Sequence, residues 1–299
     1  MKIGVFDRVA SLDQIEVDMR AAADHGVDSY WITQAFGTDT LTMIGALARG
    51  IEMTIGTAVI PTYPRHPMVL AQQALTTNLL IGGRLKLGIG PSHPSVVEPC
   101  WGMSYERPAR HMEEYVQALT GALTQHVRFR GEVITARGDL DIPGAVAPPV
   151  LVSALGPKLL DLTGRLADGT ITWMVGPRTL SELTIPIIRS AAAQAERPEP
   201  EVVVCVPVCV TSALGGARAT AQTDFGWYDG LPSYRAMLAR EGLPGAAQLA
   251  IIGDEAGVRG EIERYRHIGA TTFAVQVFGT PEERQTTREL VWRLAAESR

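Results

Sequence analysis

The sequence predicts an α/β fold: one closed parallel (β/α)8 TIM barrel over residues 1–299, with insertions after strands four and seven. Three observations predict it. Eight short apolar or β-branched runs alternate with helix-period patterns, the rhythm of a parallel sheet with crossover helices. The first strand-to-helix turn, Asp7-Arg8-Val9-Ala10-Ser11, contains no glycine, so the dinucleotide fingerprint of an open doubly wound sheet is missing. Two stretches, 91–149 and 211–252, break the rhythm as insertions on a barrel would.

Each element has a local reason. Lys2 to Phe6 reads as the first strand. Ser11 is a helix N-cap, and Leu12, Ile15, Met19, Ala22 and Ala23 keep a helical period until His25-Gly26 stops it. Asp28 to Thr33 is the second strand and Thr40 to Ala48 the second helix. Ile51 to Ile60 is a third strand, ended by Pro61 and Pro64. Pro67 suits the first turn of a helix running to Leu80. After Gly82-Gly83, Arg84 to Gly90 is strand four. Pro91 to Tyr105 reads as a loop, Arg107 to Leu123 as a helix, and Val127 to Thr135 as a hairpin turning at Arg130-Gly131, followed by a Pro-rich passage. Val150 to Ser153 is strand five, Pro157 to Ala167 its helix and Gly169 to Val175 strand six. Leu180 to Gln194 is a helix and Glu201 to Val210 strand seven. Thr211 to Ile252 reads as irregular and partly helical. Glu255 to His267 is a helix, Thr271 to Val277 strand eight, and Glu282 to Ala296 the closing helix.

Composition removes several classes of function. At 46% hydrophobic and 20% charged residues, the chain is not disordered. A formal charge of −5 without a basic run argues against nucleic acid, whose binding rests on neutralised phosphates. No apolar run approaches the roughly 20 residues of a membrane span, and the opening MKIGVFDRVA reads as a strand rather than a leader. Cys100, Cys205 and Cys209 are few and odd in number; Cys205 and Cys209 lie in an apolar run as small hydrophobes, and a cytoplasmic, reduced protein is expected. The six histidines show no metal-ligand spacing, so no metal is expected. No G-x-S-x-G elbow is present, and Asp7 and Glu98 make no convincing carboxylate pair.

Barrel chemistry sits at the C-terminal strand ends. There the chain offers Phe6, Phe36, Tyr63, Trp173, Met174 and Phe278. An apolar, aromatic mouth suits a flat cofactor that carries the chemistry while the protein orients it.

Five segments, GTAVIPTYPRHP (56–67), GGRLKLGIGPSHP (82–94), WGMSYERPARHMEEY (101–115), RLADGTITW (165–173) and IIGDEAGVRGEIERYRHIGATTF (251–273), resemble the bacterial-luciferase-like superfamily, and within it the branch using the deazaflavin coenzyme F420. The likeness runs from strand one to strand eight and is weakest at 128–149 and 211–250. It implies a TIM barrel and a bulge at the end of strand three, with a non-prolyl cis peptide under the deazaflavin ring. On this chain that bond is Ala58–Val59, beside Thr57. The resemblance also implies a cofactor-phosphate site at the turn after strand five, Ala154-Leu155-Gly156-Pro157, and at the loop after strand six, Trp173-Met174-Val175-Gly176. Leu155 and Gly156 stand where relatives have two glycines.

One place departs from the resemblance. Many relatives end strand two with an acidic residue and a histidine; this chain has Thr33-Gln34-Ala35-Phe36-Gly37. Gln34 cannot act as a general acid, although it can donate a hydrogen bond. The implied activity is therefore an F420-dependent oxidoreductase, a reductase passing hydride to an activated C=C or C=N bond rather than an oxidase of sugar phosphates. His93, after strand four, is the first candidate for the proton and Glu98 the second. His66 reads as a helix-start residue, and His111 with Arg107 as anchors of the following helix. Phe6, Phe36, Tyr63 and Phe278 are the candidate substrate contacts, and Arg65, Lys158 and Arg178 the candidate partners of an anionic tail. Two alternatives stand beside this reading: an FMN-dependent luciferase-like monooxygenase, and a barrel that binds cofactor without chemistry. The weakly charged helix PMVLAQQALTTNLL (67–80) points to a homodimer.

Overall fold

The computed structural model describes residues 1–8 and 11–298; Val9 and Ala10, in the glycine-free turn, and Arg299 lie outside the described residues. Eight parallel strands close into a barrel: β1 Lys2–Asp7, β2 Ser29–Ile32, β3 Thr54–Thr57, β4 Leu85–Gly90, β5 Val150–Val152, β6 Gly169–Trp173, β7 Glu201–Val210 and β8 Thr272–Val277. Each pairs with its sequence neighbour, β8 returns to β1 through Val5↔Val275, and β6 meets β7 through Cys205↔Trp173. Short strands at Ile60–Pro61 and Ile251–Gly253 extend the sheet beside β4 and β7.

The surrounding helices are α1 Leu12–Asp24, α2 Thr40–Leu47, α3 Pro67–Leu80, α4 Pro94–Trp101, α5 Pro108–Leu123, α6 Pro157–Leu166 and a long α7. This α7 begins as Pro177–Thr179, passes through a π-helical stretch at Leu180–Thr184 and continues as Ile185–Gln194. Next come α8 Leu214–Phe225, α9 Pro232–Glu241, α10 Glu255–Ile268 and α11 Pro281–Glu297. Ser11 caps α1 by accepting from Gln14 N–H, as its position predicts.

Two readings are corrected. The 91–105 segment is not all loop: Pro94 starts α4, and Gly102, left-handed at φ 65°, ends it. The hairpin runs further than Thr135, as His126–Arg130 against Thr135–Asp139, with Arg128 opposite Arg137. Its tip is held by Glu114 of α5. That buried carboxylate accepts from the N–H groups of Glu132, Val133 and Ile134 at 2.8–2.9 Å.

The barrel interior is closed from below. Lys86 at the start of β4 reaches across to Glu201 at the start of β7, at 2.5 and 2.6 Å. Above them the fully buried Trp31 fills the middle layer among Leu151, Ile171, Val203 and Ala274. Gly56 makes room for that ring; an added Cβ would lie 2.1 Å from Trp31 Cε3. With charge and indole plugging the lower half, a ligand has access only from the C-terminal end.

Candidate active site

The inward-facing residues one layer above Trp31 form the floor of the mouth. Phe6 of β1 and Trp173 of β6 stack at 4.6 Å between centroids, with 16° between planes. Alternation puts Gln276 beside Phe6, because Val5 pairs with Val275 and Ala274 faces inward. Asp7, by the same alternation, turns out toward the helices. It accepts from Tyr30 Oη–H at 2.7 Å, and burial raises its pKa above the usual aspartate value. It is therefore no base for the mouth.

Opposite the aromatic pair, β3 ends in a bulge, and the peptide Ala58–Val59 is cis, as the resemblance implies. Thr57 braces this bulge. Its hydroxyl donates to Gly88 O at 2.8 Å and accepts from Gly88 N–H at 2.9 Å, so it shapes the support and has no proton left to donate to a ligand. Glycine at 90 keeps the surface low: a Cβ there would stand 2.9 Å from Val59 Cγ2 and 3.3 Å from Ser153 Cβ.

The predicted proton carriers separate clearly. His93 is the N-cap residue of α4, half-buried, and its ring makes no hydrogen bond among the described residues. It lies 6.3 Å from the Tyr234 ring, and burial lowers its pKa below the usual imidazole value. Gln34 is otherwise engaged: its carbonyl accepts from Thr40 N–H at 3.1 Å, at the start of α2. Arg65 pairs with Asp39 at the same helix start, so its charge is already neutralised there. Glu98 is exposed on α4.

The other candidates, Phe36 apart, are packing or capping residues. His66 caps α3 through Nδ1, and Nε2–H donates to Thr135 O at 2.9 Å. His111 stacks on Tyr63 at 3.9 Å and bonds Thr62 Oγ1 at 3.1 Å; burial pushes its pKa down to about 4. Tyr63, only 8% exposed, is pushed up to about 12 by burial and by Glu98. Phe36 is exposed beside Trp101. Phe278 is buried edge-on against Phe225, so it seats the second insertion instead of meeting ligand directly.

That insertion holds the residues the sequence reading missed. Tyr234 of α9 donates to Trp173 O at 3.1 Å, and Phe225 and Tyr228 approach the Trp173 ring at 6.1 and 6.3 Å. The visible signal was the aromatic run FGWYDGLPSY at 225–234. Nothing in the local sequence marks Glu241, whose carboxylate accepts from Arg178 N–H at 3.2 Å and Thr179 N–H at 2.5 Å.

A flat, phosphate-tailed cofactor fits this mouth in part. The bulge offers a low apolar support. Gln276 Oε1 is buried without a hydrogen-bond partner among the described residues, and the Trp173 indole N–H lacks a well-formed one. Beyond β5, Gly156 has nothing within 4 Å of an added Cβ, α6 has no side-chain cap, and Lys158 makes no ion pair among the described residues. Beyond β6 the fit fails. Met174 is buried at φ 49°, and Gly176 lies beneath Glu241, whose Cδ would meet a Cβ there at 2.3 Å. Arg178 is drawn to Glu182 at 3.0 Å.

A closed (β/α)8 barrel with a bulged third strand and an aromatic, largely uncharged mouth defines the class: a TIM-barrel protein with an apolar site at the strand ends. The chain belongs to the luciferase-like monooxygenase family, whose model matches residues 7–283. It is 29% identical over 205 residues to a 5,10-methylenetetrahydromethanopterin reductase of Methanolobus tindarius, covering 67% of this chain and 62% of that protein. It is 31% identical over 222 residues to an F420-dependent glucose-6-phosphate dehydrogenase of Nakamurella multipartita, covering 69% and 65%. The matched stretches thus span less than two thirds of either relative. Among solved structures, an F420-dependent secondary alcohol dehydrogenase in complex with an F420-acetone adduct superposes with a TM-score of 0.81 at 19% identity, covering 97% of both chains. At that identity the likeness speaks for the fold.

Proposed function

We propose that the protein is an F420-dependent oxidoreductase that works as a reductase on an activated C=C or C=N bond of an uncharged small molecule. The observation that carries this reading is the mouth itself: an apolar bulge at Ala58–Val59 facing the Phe6–Trp173 pair, with Gln34 tied to α2 where a base would be needed to oxidise an alcohol. Similarity to a reductase and to an F420-named dehydrogenase supports the cofactor. When bound, the reduced deazaflavin supplies the hydride.

The chain's own residues do the rest. Ala58, Val59 and Gly90 form the support under the ring, and Trp173 walls it in. Leu155, Gly156 and Lys158 meet the phosphate tail at the start of α6. Phe6 and Gln276 orient the acceptor. His93 carries the proton that completes the reduction, on a ring nitrogen with no protein partner among the described residues. The same support suits a flavin, and the monooxygenase activity for which the family is named makes an FMN-dependent monooxygenase the second reading.

The test is a parallel titration with F420 and FMN, followed by anaerobic oxidation of each reduced cofactor against enone and imine acceptors. Tighter F420 binding and oxygen-independent turnover are expected. Tighter FMN binding with turnover only under oxygen overturns the reading.

The partner is a second copy of the chain. Val69, Leu79 and Leu80 of α3 are exposed, beside a groove lined by Leu41, Gly45 and Ala46 of α2. Three unpaired cysteines agree with a reducing, cytoplasmic setting, and no described helix is long and apolar enough to cross a membrane.

A further inference from the structure

His93 sits between two backbone constraints. Pro94 opens α4, and the residue before a proline is pushed to extended backbone, as His93 is at φ −129° and ψ 150°. Where the His93 ring lies therefore depends on the turn before it. That turn is Ser92, left-handed at φ 61°, a conformation that residues with a Cβ rarely adopt. The helix does not hold it: Val96 and Val97 N–H, donors of the first turn of α4, both go to His93 O at 2.9 Å. Ser92 O accepts instead from Tyr105 Oη–H at 3.0 Å, a residue of the connection between α4 and α5. Tyr105 is itself fixed from elsewhere. Its ring stacks on Tyr63 at 5.4 Å between centroids, and Tyr63 stacks on His111 of α5 at 3.9 Å. His111 Nε2 meets Thr62 Oγ1 at 3.1 Å, which ties the stack to the chain just after the short strand Ile60–Pro61. Burial, with Tyr63 beside it, pushes the Tyr105 phenol up to about 12, so it remains a donor across neutral pH.

We propose that Tyr105 is a positioning residue for proton delivery: its hydroxyl holds the left-handed turn at Ser92, and the turn holds the His93 imidazole at the rim of the mouth beside Tyr234. The proposal rests on the preceding reading that His93 carries the proton. Without the hydroxyl, Ser92 relaxes to negative φ and the ring leaves its place 6.3 Å from the Tyr234 ring of α9. The titratable groups packed around this turn are Tyr234, Tyr105, Tyr63 and, on α4 itself, the exposed Glu98. Burial keeps all three phenols protonated at neutral pH. A changed His93 titration thus reports where the ring lies, not a phenolate beside it.

The test compares wild type, Tyr105→Phe and the double variant Tyr105→Phe with Ser92→Gly, using His93→Gln to assign the His93 ring signals among the six histidines. Imidazole titrations are followed by NMR, which needs no turnover. The rate, KM and pH profile are measured with whichever reduced cofactor supports turnover. Tyr105→Phe keeps the stacked ring and removes only the hydroxyl. It should move the His93 pKa up towards the ordinary 6.5 and carry the pH limb of the rate with it. It should also lower kcat about tenfold while acceptor KM stays within about twofold. In the double variant glycine takes positive φ without cost, so the wild-type His93 titration and part of the lost kcat should return. An unchanged His93 titration in folded Tyr105→Phe, or a double variant no better than Tyr105→Phe, overturns the positioning and leaves the proton reading intact. If Tyr105→Phe does not fold, a fluorinated tyrosine in place of Tyr105 decides. Its phenol ionises nearer neutrality, loses the proton it donates and must release His93 as pH rises; His93 signals blind to that ionisation overturn the proposal. If the titration moves as expected while kcat and its pH profile do not, the turn still holds the ring, but the proton reading falls and the part of Tyr105 in the reaction falls with it.

Discussion

Replacing Gly90 by alanine puts one methyl group into the support of the mouth. The new Cβ would lie 2.9 Å from Val59 Cγ2 and 3.3 Å from Ser153 Cβ, so Val59 must give by several tenths of an ångström. Overpacking of this kind costs about 1–3 kcal/mol. If that surface carries the ring, much of the cost falls on ligand binding, an affinity loss of about 5- to 150-fold at 1.4 kcal/mol per decade. Gly88→Ala is the control. Its Cβ would sit 2.0 Å from the Thr57 carbonyl oxygen, which is backbone and cannot swing away. That variant should be strongly destabilised and express poorly, whereas Gly90→Ala should fold. The assay is thermal unfolding of both variants together with fluorescence titration of the deazaflavin into Gly90→Ala. Wild-type affinity in a folded Gly90→Ala would refute the placement of the ring on this surface. A normally stable Gly88→Ala would refute the packing argument itself.

Other outcomes follow from charge and burial. If His93 donates the proton, kcat/KM for reduction should fall as pH rises through its pKa, which burial places below 6.5; His93→Ala should lose that limb and about 10²–10⁴-fold in rate, and an unchanged profile returns the proton to solvent. Glu114 is opposed by burial, but the N–H groups of 132–134 and Arg110 hold its pKa below the ordinary 4.5. Its contribution to stability is thus present above that value and lost as pH falls through the lowered pKa, and Glu114→Gln should cost about 1–3 kcal/mol by denaturant unfolding at neutral pH and flatten the acid limb. Leu80→Arg on α3 should turn the dimer into monomers by light scattering without changing deazaflavin affinity; a wild type that is monomeric at micromolar concentration rejects the interface.

The barrel was legible because its strands repeat the same physics. β-branched runs such as Glu201–Val210, and caps such as Ser11, announce themselves locally. The second hairpin strand did not, since Thr-Ala-Arg-Gly-Asp has little β-propensity and the tip that leads into it is held by Glu114 from another element. The α4 segment was hidden by Pro94 and Pro99, which read as loop residues although one of them starts the helix. The bulge at Ala58–Val59 came from resemblance, while its bracing by Thr57 and Gly88 is a contact across 31 residues. Glu241 was invisible for the same reason: its role depends on a glycine N-cap and a loop more than sixty residues upstream.

The two halves of the barrel divide the work. Below, Lys86, Glu201 and Trp31 fill the interior completely, and the glycines at 56 and 88 leave nothing that can be enlarged. Above, the same alternation brings Phe6, Gly90, Trp173 and Gln276 to one level, with no charged side chain among them. The ionisable groups near that level are turned outward, as Asp7 is, or stand at the rim, as His93 does. A charged acceptor entering this floor would surrender its hydration without gaining an ion pair, a loss that hydrogen bonds from Gln276 alone do not offset. On the proposed function, this layer predicts a preference for an uncharged acceptor. Gln276→Lys tests it: the added ammonium should raise affinity for an anionic acceptor analogue and lower it for a neutral enone, while equal effects on both would place Gln276 outside the acceptor site.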